Sequence, residues 1–213
     1  MKIVLLLISC LGFISGIWAQ EIVTRSYNPK TLLKDGGRPT GGFLAIQPKM
    51  TFLADQEALM LGGQLAMVHG HQFNIGIAGY ALLSDVDLQG YYYTNLPVYL
   101  MPTGVLEFAY AGLLLEPVFF NKSVVHFTAP VIIGPGVASI RNSRIWESDS
   151  YNKFTDVVGV VEPGLNMELN LTRMIRFNLG ASYRFVFDSD LPRYNNKSLS
   201  HVAIMAGFKI GWY

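Results

Sequence analysis

Charge is scarce in this chain. Asp, Glu, Lys and Arg make up 15% of its 213 residues, where a soluble domain carries roughly 25%. Sixteen basic residues against fifteen acidic ones leave a net charge of +1, too small a surplus to neutralise phosphates, so nucleic acid is excluded as a partner. Cysteine is nearly missing: Cys10 stands alone, so an exported form has no internal disulfide and needs another source of stability. No segment after the N-terminus reads as an amphipathic helix. Cofactor and metal motifs are lacking too. Gly62-Gly63 and Gly134-Pro135-Gly136 have no helix or Lys-Ser/Thr after them, so they read as bends and close backbone approach rather than phosphate loops. His69 and His71 bracket Gly70 at a turn without a third metal ligand. No cofactor is expected. Apolar and aromatic residues are plentiful, with 51% hydrophobic composition, thirteen Phe, eleven Tyr and three Trp, and that excludes disorder.

The N-terminus carries Lys2, an apolar run over residues 3–18, then Ala19 and Gln20. These are the charged, apolar and small-residue parts of a secretory signal, with cleavage expected after Ala19. The run is shorter than the roughly 20 residues of a spanning helix. Leu7-Ile8-Ser9-Cys10 resembles a lipoprotein box, but apolar residues continue through Trp18, so lipidation of Cys10 is not expected. Residues 1–19 are thus read as a signal, residues 20–40 as a periplasmic arm broken by Asn28-Pro29, Gly36-Gly37 and Pro39, and residues 41–213 as the folded unit.

From Gly41 onward the period is two. Ile175, Phe177, Leu179, Ala181, Tyr183, Phe185 and Phe187 alternate with Arg176, Asn178, Gly180, Ser182 and Arg184, which makes a strand with one greasy and one polar face. Similar rows begin near Leu44, Leu59, Phe73, Val125, Val161 and Val202. The stretch from Val105 to Phe120 departs from the pattern, because its apolar parity switches from Leu106, Phe108 and Tyr110 to Leu113, Leu115 and Phe119. A bulge near Ala111-Gly112 is expected there. Eight strands result, with short links at residues 70–72, 121–123 and 171–173 and long ones at 85–103, 141–156 and 188–200. Both termini fall on the short-turn side. The fold class is therefore all-β, an eight-stranded antiparallel up-and-down transmembrane β-barrel.

A soluble lipocalin-like barrel alternates too, but with its polar face in bulk water. Here the polar face holds mainly Gly, Ala, Asn, Ser and Thr, which suits a narrow lumen. The greasy face is expected to meet outer-membrane lipid, with Phe73, Phe119, Trp212 and Tyr213 at one end and Tyr91, Tyr92, Tyr93, Phe185 and Phe187 at the other forming aromatic girdles.

Gly41-Gly42-Phe43, the run from Phe73 to Tyr80, Leu114-Leu115-Glu116-Pro117, Val125-His126-Phe127-Thr128, Val161-Glu162-Pro163-Gly164 and Ala181-Ser182-Tyr183-Arg184-Phe185 together resemble a family of uncharacterised small outer-membrane barrels from Bacteroidetes-type bacteria. The resemblance spans Gly41 to the end and implies location and fold, with no activity to carry over. The last strand also resembles the C-terminal signal read by the barrel-assembly machinery, although its apolar parity falls on Trp212, one residue before Tyr213.

The residues expected inside the lumen as a polar network are Lys49, Gln64, Glu116, His126, Glu162, Glu168, Arg176, Arg184 and Lys209. A hairpin centred on Thr172 puts Glu168 opposite Arg176 and Glu162 diagonal to Arg184, and one centred on Lys122 puts Glu116 opposite Thr128 and diagonal to His126. Two catalytic readings compete with a polar plug. Glu116 and Glu162, each followed by proline, could pair as an acid and a base. His126, Thr128 and Glu116 could form a triad, loosely resembling the His-x-Ser arrangement of lipid A deacylases. The reading preferred is a filled lumen without catalysis, in a monomer whose loops could bind an extracellular ligand. Tyr91, Tyr92, Tyr93, Tyr99, Trp146 and Tyr151 are the loop candidates. A narrow channel, a lipid hydrolase and a soluble carrier stay open as alternatives.

Overall fold

Alternating side chains build extended strands, and the computed structural model shows how they join. It describes residues 39–88, 104–142, 154–191 and 195–213. The signal at 1–19, Cys10, the arm before Pro39 and the six loop aromatics lie outside the described residues. In chain order the elements are β1 (Pro39–Leu53), β2 (Gln56–His69), β3 (Phe73–Leu82), β4 (Asp87–Leu88), β5 (Gly104–Phe119), β6 (Val125–Thr128), β7 (Val131–Asn142), β8 (Phe154–Asn170), β9 (Ile175–Tyr183), β10 (Phe185–Phe187), α1 (Asn196–Leu199) and β11 (Val202–Trp212).

β6 and β7 act as one strand interrupted at Pro130, which has no N–H to give. The ladder passes the break, because Ala129 N donates to Pro117 O (3.1 Å) and Pro130 O accepts from Gly164 N (2.8 Å). β9 and β10 continue each other across Arg184, whose backbone N donates to His201 O (2.9 Å). β4 likewise prolongs β3 along β5, with Asp87 opposite Val105, and counted this way eight strands form a hydrogen-bonded ring. β1 meets β11 from Gly42↔Trp212 to Thr51↔Ala203 and closes it. Every pairing along the ring is antiparallel. Ala54 and Asp55 join β1 to β2 with φ of 49° and 62°, the double left-handed geometry that a tight two-residue hairpin requires.

Burial decides which face points out. Along β1, Ile46 and Met50 are 60% and 63% exposed, while Gln47 and Lys49 are 0%. Water around the greasy face would forgo about 25 cal/mol for each Å² left exposed, a loss that hydrocarbon does not impose. Among the described residues no helix is long and apolar enough to cross a membrane, and a closed ring of strands satisfies its own backbone hydrogen bonds, as a structure in hydrocarbon must.

Three expectations need correction. No bulge occurs at Ala111-Gly112: β5 runs in unbroken register against β3 from Phe73↔Pro117 to Ala81↔Ala109, and its pairs with β7 hold one offset on both sides. The parity switch has another cause. Leu106, Phe108 and Tyr110 point inward, where they join Leu53, Met60, Leu88, Val158, Val186 and Leu199 in an apolar core at the loop end, so the lumen is polar over only part of its length. A helical turn is present after all. In α1 the Asn195 side chain accepts from Lys197 N (3.0 Å) and Ser198 N (3.2 Å), and the turn places Leu199, 0% exposed, over that core. Finally, Tyr213 leaves the girdle, because it shares the inward parity of Lys209 and stacks on buried Phe43 at 5.9 Å.

A ring without free edges should resist detergent while cold. Unboiled protein is expected to migrate differently from boiled protein on a detergent gel; identical mobility would count against a closed barrel.

Candidate functional site

Inward positions on β1 climb the lumen from Phe43 at the short-turn end through Ala45, Gln47, Lys49 and Thr51 to Leu53 at the loop end, about 3.3 Å per residue. Three buried cations sit along this ladder. Lys209, opposite Ala45, donates to Glu116 Oε1 (2.6 Å) and to Glu168 Oε1 (2.5 Å). Glu116 accepts two further bonds, from Thr128 Oγ1 (2.7 Å) and Asn74 Nδ2 (2.8 Å), and Glu168 Oε2 accepts from His126 Nε2 (2.9 Å). Higher up, Lys49 donates to Glu162, which also accepts from Tyr110 and from Ser182 Oγ (2.5 Å). The Lys49 ammonium lies 3.5 Å from the Tyr80 ring centroid, and the Tyr80 hydroxyl joins Gln64 in donating to Gln47 Oε1 (2.6 and 2.9 Å).

Arg184 forms the third tier. Its Nε donates to Leu199 O (2.9 Å) and its Nη1 to Met60 Sδ (3.2 Å), while the Phe108 ring centroid is 5.1 Å from the guanidinium carbon. No carboxylate meets it among the described residues. Below all three, Arg176 lies at the short-turn mouth, its guanidinium carbon 3.2 Å from the Tyr213 ring centroid. Buried ions are costly unless paired and hydrogen-bonded, and both lysine tiers satisfy that condition.

The expected lumen residues do converge, but several partners differ. The last hairpin is centred one residue later than Thr172, since Leu171 N and Thr172 N both donate to Ile175 O. Glu168 therefore faces Asn178, and Arg176 faces Asn170. Arg176 reaches Glu168 only at 3.7 Å. Arg184 makes no ion pair with Glu162, because Lys49 occupies that carboxylate from across the lumen. The other hairpin is likewise displaced, with Val118 opposite Thr128, although the Thr128 to Glu116 bond forms. His126 sits opposite Glu168 on the neighbouring strand instead of serving Glu116.

These distances remove both catalytic constellations. Glu116 and Glu162 are held by different lysines and share no proton or bridging group. Thr128 donates to Glu116 and, at 3.4 Å, to Glu168, which His126 also bonds, so hydroxyl and imidazole share a carboxylate but not a hydrogen bond with each other, and all of these side chains are at most 1% exposed. Among the described residues no group of His, Cys, Asp and Glu is arranged to hold a metal ion. Sequence reasoning gave no role to Tyr80, Tyr110, Asn74 and Ser182. Tyr110 shares the inward parity of Glu116 and Ser182 that of Arg184, while Asn74 and Tyr80 share the less apolar face of β3, which is the signal that could have found them.

Solved structures supply the comparison. Neisserial surface protein A superposes with a TM-score of 0.55, covering 80% of this chain and 95% of that one at 8% identity. The fold is that of a small outer-membrane barrel. OprG of Pseudomonas aeruginosa aligns with a TM-score of 0.49 over 83% of this chain and 98% of its own at 12% identity. Ail of Yersinia pestis, in complex with the heparin analogue sucrose octasulfate, aligns with a TM-score of 0.49 over 81% and 97% at 10% identity. No family model and no curated protein matches the chain.

Replacing Lys209 with Met strands two buried carboxylates and should destabilise the barrel by about 3–5 kcal/mol, read from urea unfolding in lipid vesicles. Adding Glu116→Gln and Glu168→Gln should recover much of that loss. Gly62 makes room for Tyr80, since a Cβ there would overlap the ring and the Gly79 carbonyl. Gly62→Ala should cost about 1–3 kcal/mol by overpacking in the same unfolding measurement.

Proposed function

We propose that the chain is an integral outer-membrane barrel of structural or surface-binding type, without catalytic activity, that presents its long loops outward above a sealed lumen. The observation that carries this reading is the filling of the interior. Lys209, Lys49 and Arg184 hold successive levels with their partners, and Leu53, Met60, Leu106, Phe108, Val186 and Leu199 cover the loop end. A sealed interior leaves the loops as the variable, ligand-contacting part of such a scaffold. Tyr91, Tyr92, Tyr93, Tyr99, Trp146 and Tyr151 are the contacts assigned to them.

The location belongs to the same proposal. The signal over residues 1–19 delivers the chain by Sec-type export, the barrel-assembly machinery takes β11 as its recognition strand, and a monomer results. Its lineage is that of the Bacteroidetes-type barrels. The apolar outward rows support membrane insertion, and Trp212, 69% exposed, supports an interfacial anchor on the final strand.

Purified protein in planar bilayers is expected to show no unitary current, and neither Glu168→Gln nor Arg176→Gln should create one. Steady conductance in the unaltered protein would replace this reading with a channel. Lipid hydrolysis that His126→Ala abolishes would replace it with an enzyme. Deleting residues 143–153 should preserve the heat-dependent gel shift and weaken adhesion of the producing cells to their surface ligand; unchanged adhesion would remove that loop from the binding role.

A further inference from the structure

At the short-turn end the lumen opens into a recess of about 290 Å³ whose polar lining is His71, Asn74, Asn121, Lys122, Arg176 and Tyr213. No Asp or Glu side chain is among the described residues of that lining. The two carboxylates beneath it are already engaged at short range by Lys209, Thr128, Asn74 and His126. Arg176 is left with little. Its Nη1 stands 3.7 Å from Glu168 and 3.3 Å from His126 Nε2, and the latter atom has no lone pair to offer while it donates to Glu168. Among the described residues neither Nε nor Nη2 has an acceptor. Stacking on Tyr213 at 3.2 Å fixes the guanidinium by its face and leaves its N–H edge available, the part that recognises oxyanions.

The surrounding groups are also donors. Among the described residues the Tyr213 hydroxyl is buried without a partner, and a phenol is protonated at neutral pH, so its hydrogen is free to be donated. Lys122 is exposed on the turn between β5 and β6. Asn121 Nδ2 donates to His71 O (2.9 Å), which fastens the turn carrying Lys122 to the neighbouring turn at this opening. A forked guanidinium, an ammonium and a phenol are three separate donors, which suits a tetrahedral group with several oxygens better than a planar carboxylate.

We propose that this recess binds a phosphate group from the compartment on the short-turn side, with Arg176 as the bidentate anchor, Lys122 as the neutralising charge and Tyr213 as an additional donor. The site rests on the barrel fold and not on the surface-binding reading. Two sources share the chemistry, free phosphate and a soluble phosphate monoester. Full-length protein in phosphate-free non-ionic detergent would be titrated by calorimetry with inorganic phosphate, with glycerol phosphate and with acetate.

Saturable binding of either phosphate, weakened about tenfold by Arg176→Gln and by Lys122→Gln, is the expected result. Stronger binding of glycerol phosphate identifies an ester as the source, and stronger binding of inorganic phosphate identifies the free ion. Lys122→Gln removes a charge outside the buried network, so a retained gel shift separates lost binding from lost folding. Lys197→Gln, on α1 at the other end of the barrel, should leave the titration unchanged. Absence of saturation, equal weakening by Lys197→Gln, or equal binding of acetate would overturn the proposal.

Discussion

Closure of β1 onto β11 is the constraint from which the rest follows. In hydrocarbon an unpaired backbone N–H or carbonyl has no water to turn to, so a sheet can reside there only as a ring without edges. Eight strands make the smallest common ring, and its interior is just wide enough for side chains to fill. The strand count therefore determines that the lumen is a packed interior. Each inward side chain must find its partner across the bore or along the wall, and Lys49 reaches from the first strand to Glu162 on the sixth strand of the ring.

The interior solves this packing problem in two ways. Toward the short-turn end, Lys209 and Lys49 neutralise Glu116, Glu168 and Glu162, and hydroxyls and amides complete the carboxylates' hydrogen bonds. Toward the loop end, aliphatic and aromatic side chains exclude water as they would in a soluble core. Arg184 lies at the boundary, with a backbone carbonyl and a thioether on one side and an aromatic ring on the other. The permanently charged guanidinium is thus solvated by dipoles and π-electrons instead of by an acid.

Much of this was legible in the alternation of side chains. Polar positions such as Lys49, Glu168 and Lys209 share a face with Gly and Asn, and that pattern identified the inside. Partners were less legible. A hairpin centre displaced by a single residue moves every cross-strand neighbour, which is why Arg176 faces Asn170 and His126 reaches Glu168. Contacts across the bore, such as Lys49 with Glu162, depend on barrel stagger that no local pattern encodes. The apolar half of the lumen misled for a physical reason: Leu106 and Phe108 look outward-facing under a rule that every greasy residue meets lipid, whereas the interior has its own hydrophobic core.

Glu116 and Lys209 are 93 residues apart in the chain, and Lys49 and Glu162 are 113 apart. Neither pair can form from local segments. Until β11 arrives, Glu116 and Glu168 lack their shared cation, and until β8 joins the growing sheet Lys49 lacks its anion. A partly assembled barrel thus carries uncompensated ions in its interior, and their relief coincides with completion of the wall. High contact order makes such assembly slow, while the energetic gap between unfinished and finished states gives it an all-or-none end. The ion pairs are therefore complete only in a chain whose first and last strands have met in register.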